Sequence, residues 1–393
     1  MSKRNQLIKS SPRFATASAQ HGLYDFTDEK DACGIGFICS PKKAPSHEIV
    51  QNALLILKNL SHRSAKGADG LTGDGAGLLM QIPHEFFRTQ DGLSSLPEFG
   101  EYAVGSLFFA KDHSLRLEQE YRFSLLAESL GMKTMAWRTV PTNPNILGAQ
   151  AAELEPTLRQ VFLVRNPTFS GLFDWQSSLF VLRRMAEKQF RMQQGRDLRT
   201  GAPITQFYIA SLSTQTIVYK GLVLPESLGE FFSDLRNDLV KSQMALVHSR
   251  FSTNTLPAWE LAHPFRQLCH NGEINTIRGN LKWMKAREPE ITQNWSKKWN
   301  QAATNFQPLV ASGQSDSQSL DNVVEILCRE GFELPEALMI MVPEAWEKDL
   351  SMHQELRDFY AYYASRMEPW DGPAAICFTD GKWVGARLDR NGL

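Results

Sequence analysis

No run of apolar residues in this 393-residue chain approaches the roughly 18 needed to cross a membrane. An excess of one charge is missing too: 42 Lys and Arg stand against 43 Asp and Glu. Without a basic surplus there is no electrostatic footprint for nucleic acid or an anionic membrane. Cysteine is scarce and scattered. The five residues Cys33, Cys39, Cys269, Cys328 and Cys377 are odd in number, widely spaced and without a CxxC pair. That pattern points to neither a zinc site nor a disulfide framework, and it suits the reducing cytoplasm. The first twenty residues lack Asp and Glu and also lack the apolar core of a secretory signal. Their basic, Ser- and Ala-containing composition fits a transit peptide, a disordered leader or a removable propeptide alike.

What is present is ordinary globular material. The chain is 42% hydrophobic and 22% charged, enough for a real core in one large domain or two smaller ones. Residues 1–32 read as a leader. Apolar spacing predicts strands at Gly34–Cys39, Leu78–Ile82, Tyr102–Phe109, Gln160–Val164, Phe207–Leu212, Thr216–Tyr219, Ala245–Phe251, Arg266–His270, Leu338–Val342, Ala375–Thr379 and Trp383–Leu388. It predicts helices at His47–Arg63, Leu115–Leu130, Ser178–Gln193, Ser227–Leu239, Glu273–Ala286, Ser317–Arg329 and Leu350–Met367. Asp380-Gly381 marks a hairpin. Glu288–Phe306, rich in Asn, Gln and Lys, reads as a surface excursion despite Trp295 and Trp299. Strand follows strand at 207–219 and 375–388, which argues for antiparallel sheets with helices outside, an α+β fold.

Chemistry gathers at four stretches. In Asp31-Ala32-Cys33-Gly34-Ile35-Gly36-Phe37 a thiol opens an apolar strand beside two glycines. Cutting the Ala32–Cys33 bond would set a free α-amine next to that thiol, a nucleophile and a base on one residue. A single Cys on an apolar run is also read as a small buried hydrophobe. Ser64–Gly77 is dense in glycine but has neither the Gly-Lys-Ser/Thr of a phosphate loop nor Gly-x-Gly-x-x-Gly, so it reads as a tight loop feeding a strand.

The stretch His248-Ser249-Arg250 ends an apolar strand, and Arg250 suits either a bidentate grip on a carboxylate or an ordinary ion pair. His263 and His270 are general-base candidates or satisfied core residues. The side-chain amide of Asn271 and the backbone N–H of Gly272, just before a helix at Glu273, could be aimed together as an oxyanion hole, or form a plain turn. Ser315 with Gln318 matches a capping box, and Asp316 in the first helical turn can hold an ammonium group or answer the helix dipole.

Taken together, GLYD...DACGIGF, SHRSAKGADGLTGDGAGLL, HSRFSTNT...AHPFRQLCHNGEINTIRGN, SGQSDSQSLDN and GARLDRNGL resemble the glutamine amidotransferase domain of the glutamate synthase large chain, a class II enzyme with an N-terminal nucleophile. The motifs run from Gly22 to the last residue. The resemblance implies a four-layer αββα sandwich of two antiparallel sheets, the Ntn-hydrolase fold, over residues 33–393, with 1–32 removed. It implies Cys33 as nucleophile, Asn271 and Gly272 as oxyanion hole, Arg250 on the glutamine α-carboxylate and Asp316 on its α-ammonium, with His263 and Glu273 lining the pocket. L-Glutamine is the implied substrate.

The chain stops inside GARLDRNGL, which continues in that family, so the expectation is a piece able by itself only to hydrolyse glutamine. FMN, an iron–sulfur cluster and conversion of 2-oxoglutarate belong to the family's later domains, which are joined by a small reductase subunit; no cofactor or metal is expected here. Other class II amidotransferases, and an unprocessed module that only binds glutamine or a partner chain, are the competing readings.

Overall fold

The computed structural model describes residues 34–166, 174–190, 207–250, 258–311 and 313–389. Eleven strands occur among them: β1 Ile35–Cys39, β2 Ala76–Gln81, β3 Tyr102–Phe109, β4 Met132–Thr139, β5 Thr157–Arg165, β6 Tyr208–Ser213, β7 Thr216–Gly221, β8 Met244–His248, β9 Leu268–Gly272, β10 Ala374–Thr379 and β11 Val384–Leu388. The described helices of eight residues or more are α1 His47–Asn59, α2 His113–Ser129, α3 Trp175–Phe190, α4 Ile277–Trp299, α5 Asp316–Glu330, α6 Leu334–Met341 and α7 Gln354–Ala364. All strand pairings are antiparallel, in the orders β1-β8-β2-β7, β4-β5-β3-β6 and β11-β10-β9.

Side-chain alternation assembles these ladders into layers. On β3, Tyr102, Val104 and Phe108 join the core that also holds Leu78, Met80, Leu246 and Val247 of the first ladder. The intervening Ala103, Leu107 and Phe109 face a second core with α2, α3, α5 and α6. On β9 and β10, Cys269 and Cys377 belong to the first core, and Leu268, Ile376 and Phe378 to the second. The other two ladders therefore form one β layer, sandwiched between the first sheet and a helical layer. Helix α1 covers the outer face of the first sheet with Ile49, Val50, Ala53 and Leu57. The result is the α+β sandwich, ordered helix, sheet, sheet, helix.

A buried ion network ties the helical layer to the strand that leads into the site. Burial works against the Glu187 carboxylate, but Arg183 and Arg184 of its own helix hold it down to about 2. Their guanidinium groups donate to it at 2.9 and 2.6 Å. Arg183 also donates to Glu325. Arg266 pairs with Asp321 at 2.7 Å, and Asp321 accepts the backbone N–H of Gln267 at 3.0 Å, one residue before β9. Each of these charges is compensated, as burial requires.

Several expectations are corrected. Leu338–Val342 is not a strand: Leu334–Met341 is helical, opened by Glu333 and Glu336 in a capping box, and its apolar run is buried as a helix. The long helix over Ser227–Leu239 resolves into Leu228–Phe231 and a 3-10 turn at Ser233–Arg236. Strand β4 was missed, because its residues pack at the rim of a sheet and stay half-buried. The hairpin at Asp380-Gly381 is present, but its ladder closes at Thr379 and Val384, so the loop has four residues, with Asp380 accepting from the N–H groups of Lys382 and Trp383. Helix α4 begins at Ile277, four residues later than Glu273.

Helix α4 also runs through most of the supposed surface excursion, to Trp299. Trp295 and Trp299 are each only 1% exposed and stack on one another, with Phe180 of α3 edge-on to Trp295 at 5.3 Å. Polar neighbours masked a helical stripe at Ile291, Trp295 and Trp299. Trp295→Ala is expected to cost about 3–5 kcal/mol, whereas Ala at the exposed Trp283 stays within about 0.5 kcal/mol. Urea unfolding of the two variants measures the contrast.

Candidate active site

The site is built where the ends of β1, β8 and β9 come together. Register sets His248 opposite Ile35 and Gly77. The Ser249 N–H donates to the Gly34 carbonyl at 2.8 Å. A Cβ on Gly34 would lie 3.2 Å from the Ser249 Oγ and 3.7 Å from His248 Cε1, so the strand start is closely backed. At Gly36 the same space is taken by Ile56 of α1. Cys33 itself lies outside the described residues, as do 251–257 beyond Arg250.

Ser64–Gly77 folds on itself as a short loop. Lys66 bridges Gly73, the Asp74 N–H donates to the Ala65 carbonyl, and the Ala65 N–H donates to the Asp74 carboxylate at 3.0 Å. Asp69 accepts from the Thr72 hydroxyl and from the N–H groups of Thr72 and Leu71. Those bonds pull its carboxyl down to about 2. The loop's own carboxylates thus take N–H groups that a phosphate would need. Arg250 is 45% exposed in its side chain, with Nε 3.8 Å from Asp74.

Asn271 and Gly272 are strand residues, the last two of β9, paired with Ala375 and Ala374. This differs from the expected break into a helix. Alternation with Cys269, which faces Val247 of the first sheet, turns Asn271 to the inter-sheet side. Gly272 has φ +123°, and a Cβ there would sit 1.9 Å from the Pro373 carbonyl oxygen. Only glycine meets both conditions. The Glu273 N–H then donates to that same Pro373 carbonyl.

Asp316 opens α5. Ser315 caps the helix by accepting from the Gln318 N–H at 3.1 Å; of the expected capping box only this half forms, since Gln318 Oε1 has no hydrogen-bond partner among the described residues. One Asp316 oxygen accepts the Ser317 N–H at 2.6 Å. The other accepts the Ile274 N–H at 3.2 Å, which binds the helix start to the segment just after Asn271-Gly272.

Three buried histidines bridge the two halves. His248 donates from Nδ1 to the Arg250 carbonyl at 3.1 Å and stacks on His263, ring centres 4.4 Å apart. His263 Nδ1 accepts the His270 N–H at 3.4 Å. His270 contacts the Ser317 hydroxyl at 2.8 Å and lies 4.0 Å from Asp316. Burial pushes His248 down to about 3 and His263 well below its usual range. His270 is lowered too, by burial, against the pull of Asp316, Glu273 and Asp389. All three are neutral at pH 7, so the middle of the site adds no positive charge of its own.

The structure thus brings Asn271, Gly272, Glu273 and Asp316 together and links them to Arg250 through the histidines, with His263 buried beneath rather than on the surface of the site. Sequence reasoning missed Asp74, Ser249, His248 and Ser317. Ser249 and His248 stood beside Arg250 in the polar stretch, but no spacing rule marks a residue that acts through another.

An electrophile held near Asn271 and Gly272 could meet two donors, with a carboxylate close by and a guanidinium on the adjoining sheet. The family model for glutamine amidotransferases class-II matches residues 33–393. The chain belongs to that family. It is 45% identical over 372 residues to "Glutamate synthase [NADPH] large chain" of Bacillus subtilis (strain 168), covering 95% of this chain and 24% of that protein. It is 42% identical to "Glutamate synthase [NADH]" of Schizosaccharomyces pombe, covering 98% of this chain and 18% of that one. It is also 42% identical to "Ferredoxin-dependent glutamate synthase 1, chloroplastic/mitochondrial" of Arabidopsis thaliana, covering 94% and 22%. The chain spans between 18% and 24% of the length of these relatives.

The histidines make the fold acid-sensitive. Between its ordinary 6.5 and its folded value of about 3, His248 is protonated in the unfolded chain and not in the native one. Stability present above pH 6.5 is therefore lost as pH falls, by up to about 1.4 kcal/mol per pH unit for each such histidine. Urea midpoints should drop between about pH 7 and about pH 5. A flat midpoint across that range contradicts neutral burial.

Proposed function

We propose that the chain carries the glutamine-hydrolysing half of a glutamate synthase, with Cys33 as nucleophile once the Ala32–Cys33 bond is cut and residues 1–32 are removed. The observation that carries this reading is the hydrogen bond from the Ile274 N–H to Asp316, which ties the start of α5 to the segment just after Asn271-Gly272, together with the closely backed strand start at Gly34. In the proposed reaction the Cys33 α-amine takes the thiol proton as sulfur attacks the side-chain amide carbon of glutamine. An unperturbed α-amine, with a pKa of about 7.7–8.0, is matched to that task near neutral pH. The oxyanion is met by the Asn271 side-chain N–H and the Gly272 N–H. The amine returns its proton to the departing nitrogen, ammonia leaves, and water hydrolyses the thioester to glutamate.

Arg250 grips the α-carboxylate, with Asp74 against its Nε. Asp316 pairs with the α-ammonium, Glu273 lines the pocket and His263 backs it. In a longer protein of the relatives' kind, ammonia would be passed to 2-oxoglutarate with FMN and an iron–sulfur cluster, fed by a small reductase subunit. In this reading those groups belong to the later domains of such a protein. No described helix is long and apolar enough to cross a membrane, and the cytoplasm is the proposed compartment.

Two measurements test this. Mass spectrometry of the purified protein should find Cys33 at the N-terminus; a chain starting at Met1 or Ser2 without glutaminase activity supports a binding module instead. In protein processed to begin at residue 33, Cys33→Ala should lower kcat by about 10³-fold or more, and undiminished ammonia release from this variant sinks the proposal. Arg250→Ala should raise the glutamine KM by about 10–100-fold, with a smaller change in kcat. Steady-state ammonia release separates the two effects.

A further inference from the structure

We propose that Ser317 and His270 are positioning residues that fix the Asp316 carboxylate for recognition of the substrate's α-ammonium, and so set the preference for an amino acid over its deaminated analogue. The inference rests on the glutaminase reading above and deepens it.

Among the described residues, three fixed donors reach Asp316. The Ser317 N–H and hydroxyl stand 2.6 and 3.2 Å from one oxygen, and the Ile274 N–H stands 3.2 Å from the other. Two backbone donors on different elements and one side-chain donor define the plane of the carboxylate, at a helix N-terminus that favours its charge. The hydroxyl is the only one of the three that a side-chain substitution removes.

That hydroxyl is itself held. Ser317 is 2% exposed and His270 3%, and His270 Nδ1 lies 2.8 Å from the Ser317 oxygen. A hydroxyl has one proton to give. Given to Asp316, it leaves the Ser317 oxygen to accept from His270 Nδ1–H. This tautomer leaves Nε2, which is buried and has no hydrogen-bond partner among the described residues, as a bare lone pair. The opposite tautomer would bury an unpaired N–H there, the costlier arrangement. Donation therefore runs in one direction, from His270 to Ser317 to Asp316, and every dipole favours an ionised carboxylate. His270 is also the residue before Asn271, its ring on the helical side while Asn271 faces the first sheet. One strand thus supplies the oxyanion donor on one face and the support for the ammonium partner on the other.

The test compares L-glutamine with 4-carbamoylbutanoate, which lacks only the α-ammonium. In chain beginning at Cys33, Ser317→Ala should raise the glutamine KM about tenfold, or 1.4 kcal/mol, with kcat changed less than about threefold. The inhibition constant of 4-carbamoylbutanoate should stay put, so the preference for glutamine shrinks by the same factor. Ser317→Thr, which keeps the hydroxyl, should retain the preference. Calorimetric binding of both ligands in a Cys33→Ala background gives the same contrast without turnover, and thermal midpoints identify any variant that has lost its fold. A preference unchanged in folded Ser317→Ala, or a loss confined to kcat or to the thermal midpoint, overturns the inference. If the unsubstituted protein neither hydrolyses nor binds glutamine, the glutaminase reading fails first and this one with it.

Discussion

A single close approach governs the geometry of the site. Gly272 passes so near the Pro373 carbonyl that a methyl group there would stand 1.9 Å from oxygen. Directly beside it, Gly372 has φ +155°, and a Cβ on it would lie 1.9 Å from the Glu273 carbonyl oxygen. Two chain segments therefore cross at backbone distance, and glycine on both is the condition for it. The crossing fixes where β9 ends, which in turn fixes the exit to Ile274 and the point where Asp316 is tethered. A one-residue slip in the pairing of β9 with β10 would turn Asn271 to the helical side, because strand faces alternate with a period of two.

Around that crossing the fold spends burial on polar groups in two different ways. The network of Arg183, Arg184, Arg266, Glu187, Asp321 and Glu325 is charged and internally matched, and it anchors the start of β9 to the helical layer. The histidine row at the other end of the strand is neutral, because stacked rings with little solvent cannot carry protons at pH 7. Matched charge suits a place that must only be rigid. Neutral rings suit a place beside a carboxylate and a guanidinium, where a nearby imidazolium would bias both.

The long, strongly patterned elements were legible before the structure. Tyr102–Phe109 was read with its observed bounds, α5 one residue short at each end and β10 one residue short at its start, because periodic apolar runs bounded by turn or cap residues leave little choice. The failures share a cause. Leu338–Val342 is a short apolar run, which fits a buried strand or a buried helix equally, and a capping box just upstream decided for helix. Trp295 and Trp299 lay among Asn, Gln and Lys, so composition outweighed a spacing of four. In each case the local signal was weak and tertiary burial settled the outcome.

The sequence alone determined the residue types on hand for chemistry, the order of the motifs and the membership in a family of amidotransferases. It also determined that Asn271-Gly272 and Asp316 would each end or begin an element. What it left open was which of them meet. Asp316 finds Ile274 across 42 residues and Ser317 finds His270 across 47, contacts set by how the helical layer docks on β9. The neutrality of the histidines was equally out of reach, since a protonation state follows from desolvation and neighbouring charge, and both exist only once the sheets and helices have closed around the ring.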